Sequence, residues 1–313
     1  MELFIAFLYL LGGFFILLVG GEGLVRSAIS MAVRFKVSPS IIGLTIIAGG
    51  TSAPELVTSL IASFKGSSDI ALGNVVGSNI FNIFAILGLT SLLNVNKIEK
   101  SMLKFEAPAL LFFSIALVLV GLNGRIGKIE GIVFIVMLVG FLVSSVFIAK
   151  KNFVEQEDDL TTLKHPIMDV LFLCGGLGLL VGGANLALEG GIAIGKLAGL
   201  SDRVIGVTII SIGTGLPELA TSAVASFRGR NDIAVSNVIG SNIMNTLGVA
   251  GATAVVNPLS VSRQLILQDG AWMIVATVAL ILAFLMGRLQ MSRVAGFGFL
   301  SSYVAYIVVL LNR

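Results

Sequence analysis

The chain has 313 residues, of which 56% are hydrophobic and only 12% are charged, with a net charge of +3. Soluble domains carry roughly 25% charged residues, so this composition excludes an ordinary soluble protein and indicates an integral membrane protein. The small positive charge needs no nucleic-acid partner, because basic loops explain it. One histidine is too few for a metal site built from several. Cys174 is the only cysteine and lies in an apolar run, so we expect a buried thiol and no disulfide framework.

Apolar runs of about 20 residues, the length that a hydrocarbon core requires, recur along the whole chain. They predict an all-α polytopic membrane protein with ten transmembrane helices. The predicted spans are 3–24, 39–64, 69–94, 104–122, 126–149, 166–190, 201–227, 231–257, 264–286 and 292–311.

The basic residues are unevenly divided between the two sets of loops. Of the 20 Lys and Arg, 13 lie in or beside the loops that follow odd-numbered spans, and seven lie on the opposite side. The positive-inside rule assigns the richer side to the cytoplasm. We therefore predict a multi-pass protein of the cell membrane with both termini outside.

The second and third spans contain a motif that returns later in the chain. IIGLTIIAGGTSAPELVTSLIASFKGSSDIALGNVVGSNIFN begins at Ile41, and VIGVTIISIGTGLPELATSAVASFRGRNDIAVSNVIGSNIMN begins at Val204. Matching Gly43–Asn82 to Gly206–Asn245, at an offset of 163, gives 25 identities over 40 positions. Shared membrane hydropathy alone does not produce such agreement, so the sequence indicates an internal duplication.

The duplication predicts three segments. Residues 1–149 form a first five-helix repeat, 150–165 a cytoplasmic linker, and 166–313 a second five-helix repeat. Because five is odd, the second repeat enters the membrane in the opposite orientation, which is the inverted architecture of many secondary transporters. The linker carries an acidic cluster without EF-hand spacing, which we interpret as a solvated loop. The cluster comprises Glu155, Glu157, Asp158 and Asp159.

Two acidic residues lie deep inside predicted spans without a basic neighbour in the sequence, and these are Glu55 and Glu218. An unpaired carboxylate at that depth costs at least a few kcal/mol, so its presence indicates a functional site. Each follows a proline, Pro54 or Pro217. Proline clashes with the carbonyl four residues earlier, so we expect the helices to open at Thr51 and Thr214 and to direct main-chain oxygens beside the carboxylates.

A site of this kind is rich in oxygen and poor in softer ligands. Four carboxylate oxygens and two carbonyl oxygens suit calcium, which takes six to eight oxygen ligands in flexible geometry. Sodium also takes oxygen ligands, and five neutral side chains of the repeated motif are available. They are Ser52, Ser78, Asn82, Ser241 and Asn245.

At these residues the sequence resembles the calcium/cation antiporter superfamily, specifically its prokaryotic sodium/calcium exchanger branch. GTSAPE and GTGLPE, each followed by GSNIxN, carry the resemblance. It implies two inverted five-helix halves that exchange calcium for sodium. It further implies calcium ligation by Glu55, Glu218, Thr51 and Thr214. Sodium would use the same glutamates with five further residues, and Asn82 and Asn245 would line the middle of the site. The five are Ala48 and Ser211, through their carbonyls, and Ser52, Ser78 and Ser241.

Two departures from the family pattern concern ion coupling. Gly215 stands where the first repeat has Ser52, and Asn245 stands where some relatives have an acid. The proton-coupled branch usually shows GNxxEH, whereas this chain reads GNVVGSN and SNVIGSN. The pattern favours sodium coupling, and a Ca²⁺/H⁺ antiporter that uses the same glutamates is the alternative. HExxH and nucleophile-elbow motifs are absent from the sequence, so we expect neither an enzyme nor a cofactor.

Overall fold

The computed structural model describes residues 2–151, 162–199, 209 and 211–312. The acidic cluster of the linker lies outside the described residues. The helices are α1 (Glu2–Phe35), α2 (Pro39–Ile42), α3 (Ala48–Thr51), α4 (Ala53–Phe64), α5 (Ser68–Ile80), α6 (Gly88–Leu93), α7 (Lys100–Lys104), α8 (Glu106–Gly121), α9 (Lys128–Lys151), α10 (Pro166–Leu197), α11 (Ser211–Thr214), α12 (Leu216–Phe227), α13 (Asn231–Ile243), α14 (Ala250–Val256), α15 (Gly270–Met286) and α16 (Arg293–Leu311).

These helices combine into the predicted membrane spans. Within the described ranges, nine helical stretches are long and apolar enough to cross a bilayer. From residue 211 onward, the seventh predicted span, 201–227, consists of α11 and α12, and most of its first ten residues lie outside the described ranges. The first and sixth spans are longer than predicted, because α1 continues to Phe35 and α10 to Leu197. The extra turns of α1 lie beside the start of α10, where Arg34 pairs with Asp169, so they need no apolar sequence all round.

Among the described residues, two separate segments of π-helix occur in each half. They interrupt the regular α-helical hydrogen bonds at Gly43–Ile47, Phe81–Leu87, Met244–Val249 and Leu265–Asp269. The middle two are matched positions of the repeated motif, since both follow GSNI. Irregular turns of this kind are frequent at functional sites.

The antiparallel contact between α1 and α10 shows the inverted relation of the halves directly. A Cβ built on Gly13 would lie 2.6 Å from the Gly183 carbonyl oxygen, and one on Gly20 would lie 2.8 Å from that of Gly176. Higher residue numbers on α1 therefore lie beside lower residue numbers on α10, so the two helices run antiparallel. Glycines let membrane helices approach this closely, so the two helices form one tightly packed pair.

In the part of the chain that the structure describes, four two-residue strands join the loops and are a small exception to the all-α prediction. They are β1 (Asn96–Lys97), β2 (Arg125–Ile126), β3 (Leu259–Ser260) and β4 (Gln290–Met291). β1 pairs with β4 and β2 pairs with β3, both antiparallel. The loop after the third span therefore lies beside the loop after the ninth, and the loops after the fourth and eighth spans also meet. Two loops can pair only if they lie on the same side of the membrane, that is, if an even number of spans separates them. The order of the ten spans meets this condition for both pairs of loops.

The buried centre is formed by the motif helices of both halves. α13 packs against α2 and the π-helical segment Gly43–Ile47. α5 packs against α4, and across the repeat boundary against Met244–Val249. The outer helices expose many large apolar side chains, as lipid-facing surfaces do. Cys174 is exposed on α10, so the prediction of a buried thiol is wrong: the apolar run around it faces outward.

Candidate ion-binding site

The helices that carry the glutamates are broken at equivalent positions. Ser52 separates α3 from α4 with φ −81° and ψ 3°, and Gly215 separates α11 from α12 with φ −84° and ψ 3°. Pro54 and Pro217 follow within the first turn of the new helix, as proline chemistry requires. The break lies one residue later than expected. The Gly50 carbonyl is not free, since an N–H at the Ser52 cap bonds to it.

Glu55 and Glu218 lie in the first turn after these breaks, on helices from different halves. They are 1% and 0% exposed. Each carboxylate also accepts a hydrogen bond from its own backbone N–H, which holds the side chain at the broken end of the helix. An excess positive helix-dipole charge at that end favours an anion there.

The two halves meet at these carboxylates. The Ser52 hydroxyl donates to Glu218 Oε1 at 3.3 Å. The Thr51 hydroxyl also lies within hydrogen-bonding range of the Glu218 carboxylate and is 3.4 Å from the Ala48 carbonyl oxygen. Glu55 and Glu218 are close enough to interact electrostatically. The predicted pair of glutamates therefore forms one site across the repeat boundary.

Several buried oxygens of this region lack a hydrogen-bond donor among the described residues. Each carboxylate has one, Oε2 of Glu55 and Oε2 of Glu218. The others are Asn82 Oδ1, Ser241 Oγ and Asn245 Oδ1, and Asn245 Nδ2 has no acceptor. None of the four ion pairs found in the described part of the chain involves either glutamate. Buried acceptors left in this state cost roughly 1–3 kcal/mol each, and oxygens of these kinds are the ligands that hard cations take.

Asparagine side chains join the two copies of the motif beside the site. Asn82 Nδ2 donates to Asn242 Oδ1 at 2.9 Å, and Asn242 Nδ2 donates to the Asn79 carbonyl at 3.1 Å. Asn79 Nδ2 in turn donates to Thr246 Oγ1 at 2.8 Å. This network fixes the third span against the eighth. Asn82 is therefore held by its amide nitrogen, while its oxygen remains available.

The other predicted ligands are placed less directly. Ala48 is fully buried on α3, and its carbonyl already accepts a bond from the Ser52 N–H at 3.0 Å. Ser211 begins α11 at the equivalent position, and Thr214 ends it. Ser78 and Ser241 are buried on α5 and α13, four residues before Asn82 and Asn245. Every one of these residues lies on the two broken helices or on the third and eighth spans.

The sequence did not single out three residues that shape the site. Asn74 Nδ2 donates to the Glu55 carbonyl at 3.1 Å and to Ser59 Oγ at 3.0 Å, which fastens α4 to α5. Asn242 orients Asn82. The ring of Phe81 lies against Gly215. The signal for both asparagines was present, because each recurs in the duplicated motif as a buried polar residue, whereas nothing in the sequence indicates the Phe81 contact.

The arrangement has the chemistry of a site for a hard cation. Its unsatisfied groups are almost all oxygens, two of them on carboxylates, and they lie at broken helices between inverted repeats. Hard cations take carboxylate, carbonyl and hydroxyl oxygens. No cluster of three or more His, Cys, Asp or Glu residues forms in the described ranges, so a dedicated soft-metal centre is not built there.

Comparison with known proteins gives the family. The family model for the sodium/calcium exchanger protein matches residues 5–147 and again 168–312. The chain belongs to the sodium/calcium exchanger family. The two matches correspond closely to the two halves, one copy of the family unit in each.

Full-length relatives agree with this assignment. The sodium/calcium exchanger MaX1 of Methanosarcina acetivorans is 31% identical over 343 aligned positions, covering 97% of this chain and 98% of the relative. The inner membrane protein YrbG of Escherichia coli is 30% identical, covering 96% and 95%. A structure of the sodium-calcium exchanger NCX_Mj, soaked with 10 mM Na⁺ and zero Ca²⁺, matches with a TM-score of 0.85 at 28% identity, covering 98% of this chain and 99% of that chain.

The family assignment confirms the fold and the class of activity. The chain is a polytopic membrane antiporter of the exchanger type with ten spans in two inverted repeats, and it is a transporter and not an enzyme. The segment boundaries at 149 and 165 and the role of each site residue stay predictions.

Proposed function

We propose that this protein exchanges Ca²⁺ for Na⁺ across the cell membrane, with Glu55 and Glu218 as ligands shared by both ions. The observation that carries the proposal is the pair of buried carboxylate oxygens without a donor in the described part of the chain, one from each half. Two carboxylates balance the charge of one Ca²⁺, or of two Na⁺. The exchanger family supplies the class of cargo.

The remaining ligands follow from position. We assign calcium to the centre, between the glutamates and the Thr51 and Thr214 main chains at the helix breaks. Sodium would use the glutamates together with neutral oxygens on either side. These are the carbonyls of Ala48 and Ser211 and the hydroxyls of Ser52, Ser78 and Ser241, with Asn82 and Asn245 lining the centre. The unsatisfied oxygens of Asn82, Ser241 and Asn245 support this assignment.

Competition for shared carboxylates produces exchange. With neither ion bound, two buried negative charges face each other in a low-dielectric interior, which is unfavourable. Either one Ca²⁺ or several Na⁺ relieves this repulsion, so the protein changes its access only when loaded. Antiport results because each crossing carries one kind of load.

The packing of the halves supports alternating access. α1 and α10 both contact α12, and neither makes a comparable contact with α4. α4 leads from the site to the loop between the second and third spans, and α12 leads to the loop between the seventh and eighth. The charge distribution of the loops assigns the latter to the cytoplasm. This conformation would then be closed towards the cytoplasm, with both termini outside.

Flux measurements test the proposal. Purified protein in liposomes should take up calcium-45 when an outward sodium gradient is imposed, and uptake should stop when internal sodium is replaced by choline. An outward proton gradient without sodium should drive no uptake above that of empty liposomes. Uptake driven by protons alone would instead establish the Ca²⁺/H⁺ alternative, and uptake under neither gradient would contradict calcium antiport.

A further inference from the structure

The two halves of the site differ at several matched positions, and two of these differences are linked by a contact. Ser52 in the first half corresponds to Gly215 in the second, and Phe81 in the first corresponds to Met244 in the second. The chain thus has an aromatic ring at Phe81 with a glycine at position 215, and a flexible thioether at Met244 with a serine at position 52. The structure shows why Phe81 and Gly215 are linked.

Phe81 occupies the space that a side chain at position 215 would need. A Cβ built on Gly215 would lie 2.6 Å from Cε1 and 2.7 Å from Cδ1 of the Phe81 ring, and real Cβ atoms do not approach other atoms so closely. The ring is 5% exposed and packs edge-to-face on Tyr303, with centroids 5.4 Å apart. The packed ring therefore leaves no space for a side chain at position 215 unless it shifts.

The matched position in the first half carries a side chain. Met244, the counterpart of Phe81, has its Cε 3.4 Å from a Cβ built on Gly49, which is an ordinary van der Waals distance. Ser52 donates its hydroxyl to Glu218 Oε1. Glu218 consequently has a serine hydroxyl from the opposite half, whereas the residue matched to Ser52 in the second half is a glycine.

We propose that the Phe81–Gly215 pair determines ion specificity by removing one oxygen ligand, and thereby one sodium position, from the Glu55 side of the site. This inference rests on the sodium/calcium exchange proposed above. Sodium carries a single charge and needs neutral oxygens to complete its shell, so it depends on the missing hydroxyl more than central calcium, which both carboxylates hold. The edge of an aromatic ring carries positive partial charge, and this further disfavours a cation beside Phe81.

Exchanging the pair between the halves tests the inference. The variant Phe81→Met/Gly215→Ser copies the first-half pairing into the second half, and Phe81→Met alone is its control because it opens the space without adding an oxygen. Sodium-driven calcium-45 uptake is measured against internal sodium concentration. We expect the double variant to show a higher Hill coefficient for sodium than both the wild type and the control, and a half-saturating sodium concentration about three- to tenfold lower, as one added hydrogen-bonding ligand provides.

The reciprocal exchange provides a second test in case the first double variant does not fold. Ser52→Gly/Met244→Phe copies the second-half pairing into the first half, and we expect a lower Hill coefficient and weaker sodium affinity than in Met244→Phe alone. Equal sodium dependence between either double variant and its single control, with sodium-driven uptake retained, would overturn the inference and leave the exchange function standing. Wild-type protein without sodium-driven calcium uptake would instead overturn the exchange function itself.

Discussion

α4 and α12 come from the same repeated sequence and have different surroundings. Val57 and Ile61 on α4 are 54% and 49% exposed. Their counterparts Ala220 and Val224 on α12 are 7% and 8% exposed. The side chains remain apolar at both places, so the difference does not come from hydrophobicity. It comes from a third helix, because α1 lies along α12 and covers this face.

The covering contact depends on a small residue. A Cβ on Gly21 of α1 would lie 3.2 Å from the Ala220 carbonyl oxygen and 3.3 Å from Val224 Cγ2. α1 is also tightly packed on α10, and in this conformation both helices contact α12 and neither makes a comparable contact with α4. Two helices of similar sequence therefore have one covered and one uncovered face in the same structure.

The largest expected effect comes from the residues at which the halves are equivalent. Glu55→Gln and Glu218→Gln each remove one of the two negative charges, and attraction to divalent calcium falls by twice as much as attraction to sodium at a given distance. Losing one partner of a buried charged contact costs about 2–5 kcal/mol, so calcium uptake should fall roughly 30-fold or more in both variants. Calcium-45 flux and calcium-dependent thermal stabilisation in detergent measure the loss.

The matched control is Glu189→Gln, the same change on an exposed face of α10, and it should leave both measurements near the wild type. If either central variant retains wild-type flux and calcium-dependent stabilisation, that glutamate is not a calcium ligand. An unequal loss between the variants would show that the halves contribute unequally to calcium binding.

The second effect concerns the rigidity of the α1–α10 pair. Gly13→Ala places a Cβ 2.4 Å from the Ala187 backbone nitrogen, so the two backbones must separate. Overpacking of this kind costs about 1–3 kcal/mol, which corresponds to a fall in Tm of roughly 3–10 °C. Gly140→Ala on α9 is the control, since a Cβ there meets no atom within 4 Å. Equal Tm values for the two variants would argue against close packing of α1 on α10.

A third effect separates two equivalent asparagines. Asn82 donates to Asn242 at 2.9 Å, whereas both amide atoms of Asn245 lack a partner among the described residues. Asn82→Asp replaces a donor by an oxygen that faces Asn242 Oδ1 and should cost about 1–3 kcal/mol of stability. Asn245→Asp breaks no such bond, so it should fold normally and instead change cation affinity and steepen the pH dependence of transport.

Thermal melts and pH profiles of calcium uptake distinguish these outcomes. Destabilisation of Asn245→Asp comparable to that of Asn82→Asp would contradict the difference in their hydrogen bonding. An unchanged pH profile for Asn245→Asp would place this residue outside the ion site.

The smallest expected effect concerns the ion pair at the end of α12, where α1 covers it. Arg228, which follows α12, pairs with Glu22 of α1, and both side chains are partly exposed. Such pairs contribute about 0–1 kcal/mol. Arg228→Gln should therefore shift the equilibrium between the covered and uncovered states of α12 by no more than roughly fivefold. In a Cys174→Ala background, Val224→Cys should react slowly with a water-soluble maleimide, Ile61→Cys should react faster, and Arg228→Gln should accelerate labelling at position 224 only.

Lys65→Gln provides the control for the charge change, because Lys65 occupies the position equivalent to Arg228 and forms none of the ion pairs found in the described ranges. It should not alter labelling at position 61. Equal labelling rates at positions 61 and 224 in the parent protein would contradict the difference in covering between α4 and α12.

The membrane class, the ten spans, the duplication and the burial of the two glutamates could be predicted from the sequence. Each depends on a local and costly property: an apolar run of fixed length, a proline that cannot donate, or a carboxylate in an apolar run. The inversion followed from parity, since five crossings reverse the direction of the chain. The position of the helix break was predicted to within one residue. The carbonyl four residues before Pro54, that of Gly50, is hydrogen-bonded and not free.

Contacts between distant segments could not be predicted in this way. The Ser52 bond to Glu218, the Asn82 bond to Asn242 and the Phe81 ring against Gly215 join residues 166, 160 and 134 positions apart. The sequence indicates which groups are costly to bury, because that cost depends on each residue and its neighbours along the chain. Which half covers the other, and which oxygen meets which donor, is decided by packing alone, because nearly equal sequences here acquire different neighbours only when the whole chain has folded.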